Sequence, residues 1–78
     1  MTIKLTGRSG ITYEFEAVVG RTGIKRLSVK ATEQHVEEFY SQINDCSLQG
    51  TLLCPMYTSD AVNRAKDYGI TLSTIDQG

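Results

Sequence analysis

Apolar and polar residues alternate along the stretch from Ile11 to Val19. Ile11, Tyr13, Phe15, Ala17 and Val19 fall on one face of an extended chain, Thr12, Glu14 and Glu16 on the other. A period of two predicts a half-buried strand over this stretch. A shorter apolar start at Ile3-Lys4-Leu5 predicts a strand before it, ended by the two-glycine turn Gly7-Arg8-Ser9-Gly10. After a second such turn, Gly20-Arg21-Thr22-Gly23, alternation resumes from Ile24 to Lys30, with Leu27 and Val29 inward and Arg26, Ser28 and Lys30 outward. Three strands joined by short turns make a meander. Neither turn continues into a helix carrying Lys-Ser/Thr, so neither is a nucleotide-binding loop. Successive meander turns lie at opposite ends of the strands, so Arg8 and Arg21 do not form one phosphate clamp.

The period changes after Lys30. Thr32 is a helix N-cap followed by acidic Glu33, and Val36, Phe39, Tyr40 and Ile43 form the i, i+3, i+4, i+7 stripe of a packed helix ending near Asn44 or Asp45. Gly50-Thr51-Leu52-Leu53-Cys54 predicts a strand buried on both faces, closed by Pro55. Thr58 or Ser59 caps a second helix with Asp60 against its dipole, packed through Ala61, Val62, Ala65 and Tyr68 and stopped by Gly69. Ile70, Leu72 and Ile75 supply a last strand. The expected architecture is a single α/β domain over 1–78, bordering on α+β. Its order is β-β-β-α-β-α-β: a meander in 1–30, α-β-α-β in 31–78, and a mixed central sheet with parallel, right-handed crossovers in the second half.

The chain has 78 residues and a net charge of −1. Six of its eight Lys/Arg lie in residues 1–30 against two acids, while residues 31–78 hold two bases against seven acids. A basic sheet beside acidic helices meets phosphates on one side only, although the same charges also fit an ordinary solvated surface. No apolar run approaches the roughly 18 residues of a membrane span, and the start lacks a signal-peptide pattern, so the expectation is a cytoplasmic protein. Cys46 and Cys54 are the two cysteines, without CxxC spacing, and are expected to be buried thiols. His35 has no Cys or Asp at ligand spacing and is expected to pack at the start of its helix. Tyr57 differs from the other tyrosines in lying in a loop, where it can contact a ligand.

If the second and third strands pair, Glu14 and Glu16 share a face with Arg26, Ser28 and Lys30. Two carboxylates beside a lysine can hold Mg²⁺ or Mn²⁺ and steady a water for phosphodiester attack. Cross-strand Glu/Lys and Glu/Arg pairs on the polar face of a hairpin give the same pattern.

The motif order resembles the Mrr-type branch of the PD-(D/E)XK restriction-endonuclease-like superfamily. In that branch Gly-x-x-x-Glu-Phe-Asp precedes a strand ending Glu/Gln-x-Lys, then a helix, an apolar strand, a Phe-Thr-x-x-Ala helix and Gly-Ile before a final strand. Here these are Gly10 to Glu16, Ser28-Val29-Lys30, Gly50 to Leu53, Tyr57 to Ala61, and Gly69 to Leu72. The resemblance implies a restriction-endonuclease-like core, Glu16 in the place of the metal-binding aspartate, and Lys30 as the catalytic lysine. Ser28 stands where the family has a second metal-binding carboxylate or glutamine, a degenerate position that only Glu14 could offset. The family's N-terminal helix has no counterpart before Ile3, so a trimmed descendant, or a helix from another chain, is expected. Three functions follow. The first is a degenerate module that associates with nucleic acid, DNA above all, through Arg21, Lys25, Arg26 and Tyr57, without catalysis. The second is a structural or protein-interaction module, as a homodimer or part of a larger assembly. The third is an active Mg²⁺- or Mn²⁺-dependent DNA endonuclease with Glu16 and Glu14 on the metal. No small-molecule cofactor is expected.

Overall fold

The computed structural model describes residues 2–74, so the expected part of Ile75 in the last strand lies outside the described residues. Strands β1 (Ile3–Thr6) and β2 (Thr12–Phe15) pair antiparallel, Ile3 opposite Phe15 and Thr6 opposite Thr12. Strands β3 (Ala17–Val19) and β4 (Thr22–Arg26) form a tight hairpin in which Val19 faces Thr22. Gly20, at φ 61°, opens its two-residue turn, where a left-handed backbone favours glycine. Helix α1 (Glu33–Asp45), strand β5 (Gln49–Cys54), helix α2 (Ser59–Tyr68) and strand β6 (Thr71–Thr74) follow. β5 pairs in parallel with β4 and with β6, giving a mixed sheet in the order β3-β4-β5-β6. This is a small mixed α/β fold with two helices and six strands in two sheets.

Three expectations about the sheet need correction. The alternating stretch Ile11–Val19 is two strands, because Glu16 donates its backbone N–H to Ile24 O at 2.7 Å while Ala17 also pairs with Ile24. Two residues against one is the arrangement of a β-bulge, which bends the chain and shifts its phase. Phe15 therefore stays buried, but Val18 packs on the core and Val19 is 65% exposed. The meander accordingly divides: β1 and β2 form their own two-stranded sheet, and the element order gains a strand, β-β-β-β-α-β-α-β. The strand expected to reach Lys30 ends at Arg26. Finally, β5 is buried on one face only: Gly50, Leu52 and Cys54 are covered, whereas Thr51 and Leu53 are half-buried.

One core holds the layers together. Val36, Phe39 and Ile43 of α1 and Ala61 and Ala65 of α2 close over Leu52 and Cys54, with Phe15 meeting Phe39 edge to face at 6.4 Å. The helices lock to each other through Tyr40 and Tyr68, stacked at 4.0 Å, and through Arg64, which donates to Glu33 at 2.6 Å. His35 closes the first turn of α1, its Nδ1 accepting from the Thr32 N–H at 3.1 Å, the reciprocal bond of a capping box. Both helices end alike. Leu48 N–H donates to Ile43 O and Ser47 N–H to Asn44 O after α1, as Ile70 N–H donates to Ala65 O and Gly69 N–H to Lys66 O after α2. The left-handed residue is Gly69 in one and Ser47, at φ 57°, in the other. Cys54 is buried and Cys46 half-buried, and desolvation raises both thiols above their usual range. Among the described residues no helix is long and apolar enough to cross a membrane.

Candidate nucleic-acid interface

The carboxyl ends of parallel strands are where an open α/β sheet offers a crevice. At that end β4 leaves the sheet: Leu27 N–H still donates to Leu53 O at 2.7 Å, after which the chain bends through Ser28, Val29 and Lys30. Ala31 then bridges to Tyr57, its N–H on Met56 O at 2.9 Å and its carbonyl accepting from Thr58 N–H at 3.1 Å. The loops after β4 and β5 are thereby held side by side, and both helices start there. Thr58 Oγ1 accepts from Ala61 N–H at 3.1 Å to cap α2.

Beside these loops lies an open depression of about 550 Å³ lined by Glu16, Arg26, Leu27, Ser28 and Pro55. An adjoining one of about 250 Å³ is lined by Thr2, Glu14, Phe15, Glu16, Lys25 and Arg26. Glu16, Arg26 and Ser28 are thus brought together, and Glu14 and Lys25 lie next to them. Lys30 and Tyr57 sit on the loops and line neither depression. Arg21 is in the β3–β4 turn at the other end of β4. Lys25 Nζ donates to Gln42 Oε1 at 3.0 Å and is tied to α1. The basic residues of the first half therefore do not form one face.

A metal reading needs acids that outweigh the local cations. Glu14 and Glu16 share their depression with Lys25 and Arg26, and Glu14 Oε1 also lies 4.0 Å from Lys4 Nζ across the β1–β2 ribbon. Among the described residues no three His, Cys, Asp or Glu side chains are grouped to hold a metal ion. Ser28 adds only a neutral hydroxyl. The two carboxylates thus sit among three cations, Lys4, Lys25 and Arg26, which offset the negative charge that draws Mg²⁺ or Mn²⁺ to a carboxylate site.

A cluster that local sequence pattern does not reveal lies at the opposite end of the sheet. The Gly7–Gly10 turn does cradle an anion, and that anion is the Asp45 carboxylate at the end of α1. Ser9 N–H donates to Asp45 Oδ1 at 3.0 Å, and Ser9 Oγ and Tyr13 Oη donate to Oδ2 at 2.5 and 2.8 Å. A Cβ at Gly7 would overlap Asp45 Oδ2, so a larger residue there displaces the carboxylate from the turn. The Ser9 and then the Tyr13 hydroxyl hold Asp45 below the usual carboxylate range, and the bond to Asp45 raises Tyr13 above the usual phenol range.

The signs of these shifts set the pH dependence. The Asp45 contribution is complete above the unfolded carboxylate value of about 4 and is lost as pH falls through the lower folded value. That of Tyr13 is complete below about 10 and is lost as pH rises through the raised folded value. Thermal midpoints between pH 5 and pH 2 are expected to fall more steeply for the native chain than for Asp45→Asn. Parallel curves would show that the clasp does not contribute. Only long-range pairing could have revealed it, because Ser9 and Asp45 are 36 residues apart.

Comparison with protein families, with curated proteins and with solved structures finds no match for this chain.

Proposed function

We propose that this chain is a degenerate restriction-endonuclease-like module that associates with nucleic acid and does not cut it. The observation that carries the reading is the depression at the end of β4, where Glu16, Arg26 and Ser28 meet: the two positions that the family resemblance assigns to metal binding hold one carboxylate and a serine, and an arginine lies beside them. Arg26 lies at this depression without an ion pair among the described residues, and Lys30 is exposed on the loop beyond it. Tyr57, 41% exposed on the adjoining loop, offers a ring for base stacking. Arg26 and Lys30 contact phosphate through their positive charge and carry no base readout, so affinity depends on salt far more than on sequence.

Fluorescence anisotropy of labelled single-stranded, duplex and branched DNA tests this. With two phosphate contacts, log Kobs is expected to fall with log[salt] at a slope of about −1 to −2. Arg26→Ala and Lys30→Ala should each remove about half of that slope, and supercoiled DNA should stay intact in Mg²⁺ or Mn²⁺. No binding to any of the three DNAs at low salt, or a nick abolished by Lys30→Ala, defeats the proposal.

A further inference from the structure

The four-stranded sheet has two outer strands, and they are not equally protected. β3 is three residues long, confined between the bulge at Glu16 and the turn at Gly20. β6 is paired, among the described residues, on its β5 side only. Its residues Thr71-Leu72-Ser73-Thr74 carry no charge and no proline, the devices by which exposed edges are usually blunted. Beside it, against α2, runs a groove of about 170 Å³ lined by Tyr57, Val62, Ala65, Lys66, Ile70 and Leu72. Lys66 is the one charged residue in that lining. It is exposed and makes no ion pair among the described residues.

We propose that β6 and this groove dock an extended peptide strand of a partner protein, with a carboxylate of that strand beside Lys66. The outer N–H and C=O groups of β6 give the strand its main-chain bonds, and the groove selects its side chains. Because side chains of an added strand alternate, every second one points to the α2 side, where Val62, Ala65 and Leu72 take an apolar group. Charge chooses among occupants. A second copy of this chain would offer β6 itself, which has no carboxylate, whereas an acidic segment complements Lys66. This site is independent of the nucleic-acid reading, and loss of DNA binding leaves it intact.

The test uses three end-blocked octapeptides of alternating Thr and Val that carry a central Glu, Gln or Lys, titrated into the isotopically labelled chain. The Glu peptide is expected to shift the amides of Thr71 to Thr74 and of Lys66, and to bind about fivefold tighter than the Lys peptide. In Lys66→Glu, an exposed change that leaves the core untouched, the order of the peptides reverses. The proposal is overturned if no peptide moves the β6 amides, or if Lys66→Glu keeps the original order. Sedimentation showing a dimer that protects those same amides overturns it in favour of a second copy.

Discussion

Phe39→Ala is expected to lose about 3–5 kcal/mol, a quarter or more of the roughly 4–12 kcal/mol that a chain of this length has in total. Phe39 is 1% exposed and sits where the layers meet. Its ring takes the edge of Phe15, so it ties α1 to the end of β2 just before the bulge, and its other side lies over Gly50. Alanine there removes the apolar burial and leaves a void that β5 and β2, held by their neighbours, fill only partly. Urea unfolding followed by circular dichroism reads the effect as a lower midpoint at unchanged slope. A loss below about 1 kcal/mol would mean that the ring is not the keystone described.

Gly50→Val is the complementary test, adding volume where Phe39→Ala removes it. A Cβ on Gly50 would stand 2.6 Å from Ile43 Cδ1 and 2.7 Å from Phe39 Cε2. Glycine is unusual inside a strand, and here the reason is the close approach of α1. β5 cannot retreat, because it is paired to β4 on one side and β6 on the other. The helix must therefore rise or its side chains leave their preferred rotamers, at a cost of about 2–3 kcal/mol. Ile43→Ala in the same chain makes room, so the double variant should be more stable than the sum of the two single losses predicts. Strict additivity in the same urea experiment would place the strain elsewhere.

The helical stripes are the part of this fold that local pattern reveals. Val36, Phe39 and Ile43 recur at helical spacing and are the residues α1 buries, and Thr58 and Gly69 bound α2 because capping chemistry is local. The bulge at Glu16 leaves only a faint trace. Ile11 to Val19 alternates until Val18, an apolar residue on the polar face, and what shifts the phase is a backbone bond from Glu16 to Ile24, a partner in the next strand. The end of β4 is hidden for a similar reason: alternation runs on through Lys30, but the bridge between Ala31 and Tyr57 draws the chain out of the sheet after Leu27. β5 looked buried on both faces, since an apolar run does not say that both helices lie on one side.

The candidate site divides along the same line. Glu16 and Ser28 come together because each leaves the same end of the β3–β4 hairpin, and Arg26 joins them as the last residue of β4. Lys30, grouped with them by continued alternation, lies on the loop once the strand stops short. Lys25 belongs to the basic first half of the sequence, but Gln42 on α1 takes its ammonium. The bulge also re-aims Glu16 itself, so the residue that alternation set beside Glu14 borders both depressions.

One measurement bears most directly on the proposal that the chain binds nucleic acid without cutting it. Backbone amide shifts of the labelled chain are followed at low salt as a short DNA duplex is added, and then as Mg²⁺ is added. The account predicts that DNA moves the amides of Arg26 to Lys30 and of Tyr57, and that Mg²⁺ moves neither Glu14 nor Glu16 while the DNA stays whole. Shifts at Glu14 and Glu16 on adding Mg²⁺, with strand breakage, would contradict it, as would a spectrum that DNA leaves unchanged.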